Sequence, residues 1–279
     1  MRSFRLGTTS FVYRAGWSEN VRRLVGRVQD VELLCFEANA PDDLPTTREV
    51  AELRALRDAH GLTYSVHTPL SASLASSDDA RRREGVDSVL RVMEATGALA
   101  PDAYVLHVYL GEREHDTGCH AEVAAWLDAW RERASQSLEE ILSRSGVPAR
   151  DLCVESLDYD LALLEPVLAR HGVSLVLDIG HLYRDEPGSN AAASGPAPAL
   201  RACIERYLPR TRIVQWHGTD PNDRDHRSLA HYPAKDARWL LRTLIERRFS
   251  GALTLELFRE DDFETSLSLV NGWLAELGA

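Results

Sequence analysis

Carboxylate and imidazole side chains recur at the ends of short apolar runs along this chain of 279 residues. Runs rich in β-branched and other apolar residues, bounded by turn residues, are typical of buried parallel strands. Parallel strands of one barrel end at the same mouth, so these side chains are expected to converge there. Imidazoles and carboxylates together are the ligand set of a divalent metal site. The residues at the ends of the runs are Glu37, His67, His107, Glu155, Asp178, His181, His217 and Glu256.

The segment Asp178-Ile179-Gly180-His181 is the sharpest local signal for such a site. Asp178 ends an apolar run, Gly180 allows a sharp turn, and His181 then faces the same cavity. Glu155 ends the preceding run, so the two carboxylates are expected on adjacent strands, where they could bridge two cations. Without a cation, such a cluster would cost many kcal/mol in repulsion and lost hydration.

The other run-end residues complete the predicted ring of metal ligands. His67 and His107 end adjacent strands and could chelate one ion, and His217 and Glu256 close the ring from the opposite side. Mixed nitrogen and oxygen ligands suit zinc, manganese or iron better than calcium or magnesium. We predict two or three divalent ions per chain, with zinc first and manganese or iron as alternatives.

Further residues near the strand ends are candidates for supporting roles. In the loop after the seventh run, His226 is favoured over His231 as an additional metal ligand. Glu37 could orient His67, contact the substrate or lie at the rim. Tyrosines beside the strand ends could form an apolar platform for a large ligand. The predicted substrate contacts are Glu37, Tyr13, Tyr109, Tyr183 and His231.

Eight strand-like runs alternate with helical patterns, which predicts the α/β class and a single (β/α)₈ TIM barrel. The predicted strands are Arg5–Ser10, Val31–Phe36, Leu62–His67, Ala103–His107, Leu152–Glu155, Val173–Asp178, Arg212–His217 and Ala252–Leu257. Helices are predicted after each strand, with Ser18 starting the first, which ends near Val28, and with a Thr46–Glu49 capping box and a Gly61 stop for the second. The last four are predicted at Leu161–Arg170, Ala199–Tyr207, Ala234–Arg248 and Asp262–Leu277.

One domain is predicted to span residues 1–279, with no second domain. Two long segments, 182–198 and 218–232, follow strand ends and should lie at the active-site face. Loops of this length are often lids. For the Gly-, Ala- and Pro-rich segment 182–198, a disordered insertion is an equal alternative.

Composition narrows the class of protein. The formal net charge is −11 and there is no long basic run, so we expect no nucleic-acid partner. No apolar stretch approaches the roughly 20 residues that span a bilayer, and the N-terminus lacks the core of a signal peptide, so no membrane partner is expected. The four cysteines form no close pair, which indicates a reducing compartment. A cytoplasmic protein with a small-molecule substrate is predicted.

With these residues the chain resembles the xylose isomerase-like TIM-barrel superfamily, which also contains endonuclease IV. The resemblance covers nearly the whole sequence. It implies a shared metal centre built by four residues from the fifth to eighth strands, which match Glu155, Asp178, His217 and Glu256.

Members similar to endonuclease IV add three histidines, which match His67, His107 and His181 here. This narrower resemblance implies three zinc ions and phosphodiester hydrolysis. The endonuclease also carries an Asp-x-His element in the loop after the seventh strand. This chain departs from it, because Arg224 stands two residues before His226.

Within the superfamily, the opening LGTTSFVY, the LLCFE strand and the short loops most resemble the cobamide-remodelling phosphodiesterases. That resemblance implies cleavage of the nucleotide loop of vitamin B12-type cofactors to cobinamide and a riboside phosphate. A corrinoid would then be the substrate. Glu155 and Glu256 are the predicted catalytic carboxylates, with Glu155 bridging two cations that activate a water.

Two other functions are compatible with the same residues. A sugar isomerase or epimerase would use Glu155 and Glu256 as an acid/base pair across a metal-bound sugar. A non-catalytic binder would hold a metal or corrinoid in the mouth. DNA repair ranks below these because of the acidic net charge.

Overall fold

A closed barrel of eight parallel strands forms the centre of the protein, which confirms the predicted fold class. The structure is a computed structural model and describes residues 2–40, 43–111, 120–184, 198–222 and 224–278. Each strand pairs with its neighbours in sequence, and β1 pairs with β8 to close the barrel. The strands are β1 Arg5–Thr9, β2 Asp30–Leu34, β3 Thr63–His67, β4 Ala103–Leu106, β5 Leu152–Glu155, β6 Ser174–Asp178, β7 Thr211–Trp216 and β8 Ala252–Leu255.

Helices follow the strands and cover the barrel from outside. Over the described ranges they are α1 Trp17–Leu24, α2 Thr47–His60, α3 Asp79–Thr96, α4 His120–Ser145, α5 Glu165–His171, α6 Ile179–Arg184, α7 Pro198–Tyr207, α8 Ala234–Glu246 and α9 Glu260–Glu276. Short 3₁₀ turns lie at Gly97–Leu99, Ala149–Asp151, Leu161–Leu163, Leu208–Arg210 and Leu229–His231. No helix in these ranges is long and apolar enough to cross a membrane.

Local sequence signals explain where α1 ends and where α2 begins and ends. The capping box of Thr46 and Glu49 is present, and Gly61 ends α2 in the left-handed conformation at φ 65°, as predicted. The first helix ends at Leu24 rather than near Val28, because Gly26 turns the chain with φ 75°. The helix α6 was not predicted and occupies the start of the expected loop 182–198.

Of the two predicted long loops, the structure describes 218–232 except residue 223, and only the ends of 182–198. Residues 182–184 belong to α6, α7 begins at residue 198, and residues 185–197 lie outside the described ranges. The loop 218–232 is held by an antiparallel bridge between Gly218 and Arg227 and by the 3₁₀ turn Leu229–His231. It is therefore anchored beside the ends of β7 and β8.

Alternate residues of each strand line the barrel interior, because side chains of a strand alternate between its faces. Small and apolar side chains there form a separate core, made of Ala103, Val105, Cys153, Val176, Ile213 and Ala252. Two residues further along their strands come His107, Glu155 and Asp178. The same alternation therefore points these polar side chains inward at the carboxyl end of the barrel.

At the opposite end of the barrel, Asp30 is a buried carboxylate held by two hydroxyl groups. The hydroxyls of Thr63 and Ser65 donate to it at 2.6 and 3.2 Å. Burial raises the pKa of Asp30 to about 6, and these hydrogen bonds only partly oppose the increase. The Asp30 carboxyl thus binds its proton more tightly in the folded protein than in the unfolded chain. The free energy of unfolding therefore falls as the pH rises from about 4 to about 6.

Asp30→Asn is therefore expected to stabilise the fold above about pH 6, by up to about 3 kcal/mol. The gain should vanish below about pH 4, where the native carboxyl is protonated in both states. Chemical unfolding of both proteins at about pH 4 and pH 8 measures the difference. An equal effect at the two pH values would contradict this account of Asp30.

Candidate metal centre

The first group of possible metal ligands lies at the ends of β3, β4 and β5 and consists of His67, His107 and Glu155. Their ligand atoms all lie within 4.8 Å of one another. Glu155 Oε2 is 3.1 Å from His107 Nε2 and 3.4 Å from His67 Nε2. One carboxylate oxygen thus faces two imidazole nitrogens, a donor set that suits zinc.

Neighbouring groups fix the orientation of both imidazoles in this first group. His67 Nδ1 lies 2.8 Å from the Thr68 carbonyl, to which it can only donate. His107 Nδ1 lies 2.6 Å from the Tyr109 hydroxyl. With protons on these outer nitrogens, both Nε2 atoms would be available to a metal ion held beside Glu155, as in many histidine-ligated metal sites.

The second group consists of Asp178, His181, His217 and His226, whose ligand atoms also lie within 4.8 Å of one another. His181 Nδ1 is 2.9 Å from Asp178 Oδ2, and His217 Nε2 is 3.4 Å from Asp178 Oδ1. Asp178 and His217 are completely buried. A carboxylate at this depth is surrounded by imidazoles from three segments of the chain.

Asp178 also starts the short helix α6. Its Oδ1 accepts the backbone N–H of His181 at 2.9 Å, which is the pattern of a helix N-cap. The prediction of a sharp turn at Gly180 is therefore wrong, because Gly180 lies inside the helix α6. The helix returns His181 over the carboxylate that caps it.

Gly180 is needed for a different reason, the close approach of His217. A Cβ atom at position 180 would lie 2.4 Å from His217 Cε1 and Nε2. Real Cβ atoms do not approach other atoms this closely, so either the imidazole or α6 would have to move. The absence of a side chain at Gly180 thus places His217 against Asp178.

Gly180→Ala is expected to lower metal affinity at the second group by about tenfold or more, the size of effect seen when a ligand's support is lost. Alanine is the better helix former by about 1 kcal/mol, so a weakened α6 would not explain the loss. Gly272→Ala in α9 is the matched control, because a Cβ there meets nothing within 4 Å. Equal metal content in both variants and in the parent protein would contradict the assigned role of Gly180.

The loop 218–232 brings His226 into this group by an unusual backbone conformation. His226 has φ 52°, in the left-handed region that is uncommon for residues other than glycine. His217 Nδ1 lies 3.0 Å from the backbone nitrogen of His226 and 3.2 Å from the Gly218 carbonyl, and a proton on Nδ1 that is donated to this carbonyl leaves Nε2 free for a metal ion. The ring of His226 stacks on His217 with centroids 4.2 Å apart and on Phe258 at 4.7 Å.

The loop that departs from the endonuclease element at Arg224 carries a carboxylate at the next position, Asp225. Arg224 forms a salt bridge with Asp220, at 2.6 Å. Asp225 instead lies 3.5 Å from His181 Nε2 and 3.0 Å from His226 Nδ1. A carboxylate one residue later in the chain therefore stands beside the two histidines.

Glu256 lies between the two groups, and beneath it lies Glu32, which the sequence analysis did not select. Glu256 Oε2 is 3.4 Å from His226 Nε2, while ligand atoms of Glu32, His67 and Glu256 lie within 4.8 Å of one another. Gln215 Nε2 donates to Glu32 Oε1 at 3.0 Å. Burial raises the pKa of Glu32 to about 8, and the nearby Glu256 and Glu155 add to the increase.

Several buried ligand atoms have no hydrogen-bond partner among the described residues. They include Glu32 Oε2, His217 Nε2 and Glu256 Oε2. Each buried polar atom left unpaired costs about 1–3 kcal/mol. Lone pairs of imidazole and carboxylate that converge in this way are satisfied by divalent cations, so the residues present fit the metal ions predicted from the sequence.

The protonation of the cluster follows from its charges. Burial opposes ionisation of Glu155 and Asp178, but adjacent imidazoles outweigh it and hold both pKa values well below the usual range. Burial likewise opposes the charged imidazoles, yet the carboxylates raise the pKa of His67 and His181 to about 9 and that of His226 to about 10. In the absence of metal, protons on these histidines balance the carboxylates.

The predicted substrate contacts are only partly at the mouth. Tyr109 is 38% exposed beside His107. Glu37 is exposed and accepts from Ser71 at 2.9 Å. It does not orient His67, because the two ring nitrogens of that histidine face the Thr68 carbonyl and Glu155. His231 is exposed and belongs to neither ligand group, and Tyr183 packs against Tyr232 at 4.7 Å.

The prediction that Tyr13 contacts the substrate is contradicted by the structure. It is 3% exposed, with Arg23 stacked 3.6 Å over its ring and its hydroxyl 2.7 Å from Arg27. Its ring therefore packs against α1 rather than facing the mouth.

A parallel (β/α)₈ barrel with converging imidazoles and carboxylates at the carboxyl ends of its strands defines a class of metal-centre barrel proteins. The chain belongs to the xylose isomerase-like TIM barrel family, whose sequence model matches residues 27–277. A comparison with curated proteins finds no match.

Solved structures of similar fold include both nucleases and epimerases. Endonuclease IV from Thermus thermophilus is 20% identical with a TM-score of 0.72, over 98% of this chain and 99% of that one. The 3-keto-D-glucoside 4-epimerase from E. coli is 16% identical with a TM-score of 0.67, over 98% and 99%. A further protein from Thermus thermophilus, soaked with ZnCl₂, is 21% identical with a TM-score of 0.64, over 98% of each chain. At these identities the likeness supports the fold alone.

Proposed function

We propose that this protein is a metal-dependent phosphodiester hydrolase with zinc as its favoured cofactor. The observation that carries the proposal is the surplus of ligands: the two groups and Glu256 together offer more imidazoles and carboxylates than one ion uses. Two or three ions are therefore proposed per chain. Bound divalent ions would neutralise a phosphate and lower the pKa of a water molecule.

Different residues of the chain would bind the metal ions and accept a proton. His67, His107 and Glu155 would hold one ion, and Asp178, His217 and Glu256 a second, with Glu155 between them. His181, Asp225 and His226 could hold a third. Glu256, which is 5% exposed and approaches both groups, would accept a proton from an attacking water.

The proposed substrate is a small molecule, in particular the nucleotide loop of a cobamide. The acidic net charge of −11 disfavours a polyanion such as DNA. The resemblance of the LGTTSFVY and LLCFE segments to cobamide-remodelling enzymes supports a corrinoid. Cleavage would then give cobinamide and a riboside phosphate.

The test is turnover by protein reconstituted separately with zinc, manganese and iron. Cobamide cleavage should be followed by chromatography, beside bis(p-nitrophenyl) phosphate, ketose epimerisation and an abasic-site duplex. Phosphodiester hydrolysis that Glu155→Gln abolishes supports the proposal. Epimerisation without hydrolysis of any phosphodiester would replace it with the sugar epimerase alternative, and preferred cleavage of the duplex would replace the small-molecule substrate with DNA.

A further inference from the structure

Large apolar side chains are exposed mainly around the mouth of the barrel. Over the described ranges, those with the greatest exposure are Phe11, Leu70 and Tyr109, at 51%, 40% and 38%. They lie after β1, β3 and β4, so all three are in loops at the carboxyl ends of the strands. Exposed apolar surface that is gathered beside a candidate active site indicates ligand contact rather than core packing.

Phe11 belongs to a cluster of three phenylalanines from three different loops. Phe11, Phe36 and Phe258 are mutually edge-to-face, with ring centroids 5.3, 6.2 and 6.0 Å apart. Edge-to-face packing is a favourable arrangement of aromatic rings. It holds the three rings together while half of the Phe11 surface stays accessible.

The aromatic cluster is directly connected to the metal centre. Phe258 stacks on the imidazole of His226, with centroids 4.7 Å apart and ring planes inclined by 21°. His226 in turn stacks on His217. A group bound against the phenylalanines would therefore lie beside whatever the metal centre holds.

A cavity of about 280 Å³ opens beside this cluster, lined in part by Phe11, Phe36, Trp17, Ser10 and Glu37. Pockets that enclose a whole drug-sized ligand run from roughly 300 to 1,000 Å³. This cavity is thus suited to one portion of a substrate. Three of its nine lining residues are aromatic, and the Glu37 carboxylate provides a hydrogen-bond acceptor at the rim, held by Ser71 at 2.9 Å.

We propose that Phe11, Phe36 and Trp17 form a subsite for a flat aromatic ring that is joined to the scissile phosphodiester. The occupant is part of the substrate, because stacking continues without a break from Phe258 to the metal-centre histidines. Glu37 accepts a hydrogen bond from an N–H or O–H group carried by that ring or its sugar. The subsite rests on the proposed function for the phosphodiester, and it adds the requirement for an aromatic substituent.

The experiment compares diphenyl phosphate with dimethyl phosphate by calorimetric titration of the zinc-loaded protein. Diphenyl phosphate is expected to bind at least about tenfold more tightly, because only its rings can stack on Phe11. Phe11→Ala should abolish most of that preference. Leu70→Ala is the control, since Leu70 is a similarly exposed apolar residue on the same face but outside the cluster. Phe258 is left unchanged because it contacts His226.

Equal affinities for the two phosphates, or a preference that survives in Phe11→Ala, would overturn the subsite. Loss of the preference in Leu70→Ala as well would also overturn it, because the effect would then be general apolar contact. Hydrolysis of bis(p-nitrophenyl) phosphate without any Phe11-dependent preference would leave the hydrolase proposal standing and the subsite wrong. If binding depends on Phe11 but no diester is hydrolysed, the subsite proposal stands and the proposal of a hydrolase is wrong.

Discussion

Replacement of Glu155 by glutamine is expected to lower kcat/KM for phosphodiester hydrolysis by roughly a thousandfold, comparable to the loss of a catalytic acid or base. Glu155 Oε2 faces both His107 Nε2 and His67 Nε2. A glutamine keeps the volume but removes the negative charge that would attract the metal ions, and its N–H₂ group would face the imidazole nitrogens. We expect the variant to hold fewer metal ions per chain.

Metal analysis and steady-state kinetics on the same preparations check this expectation. Asp30→Asn is the matched control, since it makes the same carboxylate-to-amide change in a buried residue at the other end of the barrel. Its activity and metal content should equal those of the parent protein. A Glu155→Gln protein with unchanged metal content and turnover would exclude Glu155 from the centre.

The convergence of the site could be predicted from the sequence because two simple periodicities determine it. Strand side chains alternate between faces, and all parallel strands of a barrel end at one mouth. Residues as far apart as His67 and Glu256 were therefore expected together, and their ligand atoms lie within 4.8 Å. His107, His217 and Glu256 each lie one residue beyond the strand, where the inward direction is still preserved.

Features that depend on register across the barrel could not be predicted in this way. Glu32 lies inside an apolar run rather than at its end, and its partner Gln215 is 183 positions away in the sequence. The sequence signal that could have identified Glu32 is a carboxylate inside the apolar run VELLCF. The role of Gly180 is hidden for the same reason, because His217, which approaches it, comes from the next strand.

The direction in which loop side chains point could not be predicted from the sequence either. Tyr13 is close in sequence to the end of β1, yet two arginines of α1 and the turn that follows it, Arg23 and Arg27, engage it away from the mouth. Phe11, two residues earlier, is instead exposed there. In loops no periodicity fixes which of two neighbouring aromatic residues faces the ligand. The six-residue helix α6 was missed because it is too short to show a helical apolar pattern.

Removal of the metal by a chelator is expected to abolish turnover and to make the stability of the fold fall with pH above about pH 6.5. In the metal-free protein the carboxylates raise the pKa of His67 and His181 to about 9 and that of His226 to about 10, against the opposing effect of burial. Imidazoles with raised pKa values stabilise the fold fully below about pH 6.5, and that contribution is lost as the pH rises through about 9 to 10. Thermal unfolding of the chelated protein should therefore occur at progressively lower temperature over this range.

Metal binding must displace the same protons, because a histidine ligand is deprotonated. Affinity should therefore rise with pH up to about 9, by up to about tenfold per pH unit for each proton displaced. Ions present at 1,000 times their dissociation constant add about 4 kcal/mol to stability. Because this gain rises with pH by about as much as the metal-free fold loses, the stability of the metal-loaded protein should stay nearly constant between about pH 6.5 and 9, where the chelated protein weakens. Calorimetric titrations with zinc in two buffers of different ionisation enthalpy measure the protons released. Binding at about pH 7.5 without proton release would show that His67, His181 and His226 are not charged in the metal-free centre, and the proposed balance between protons and metal would be wrong.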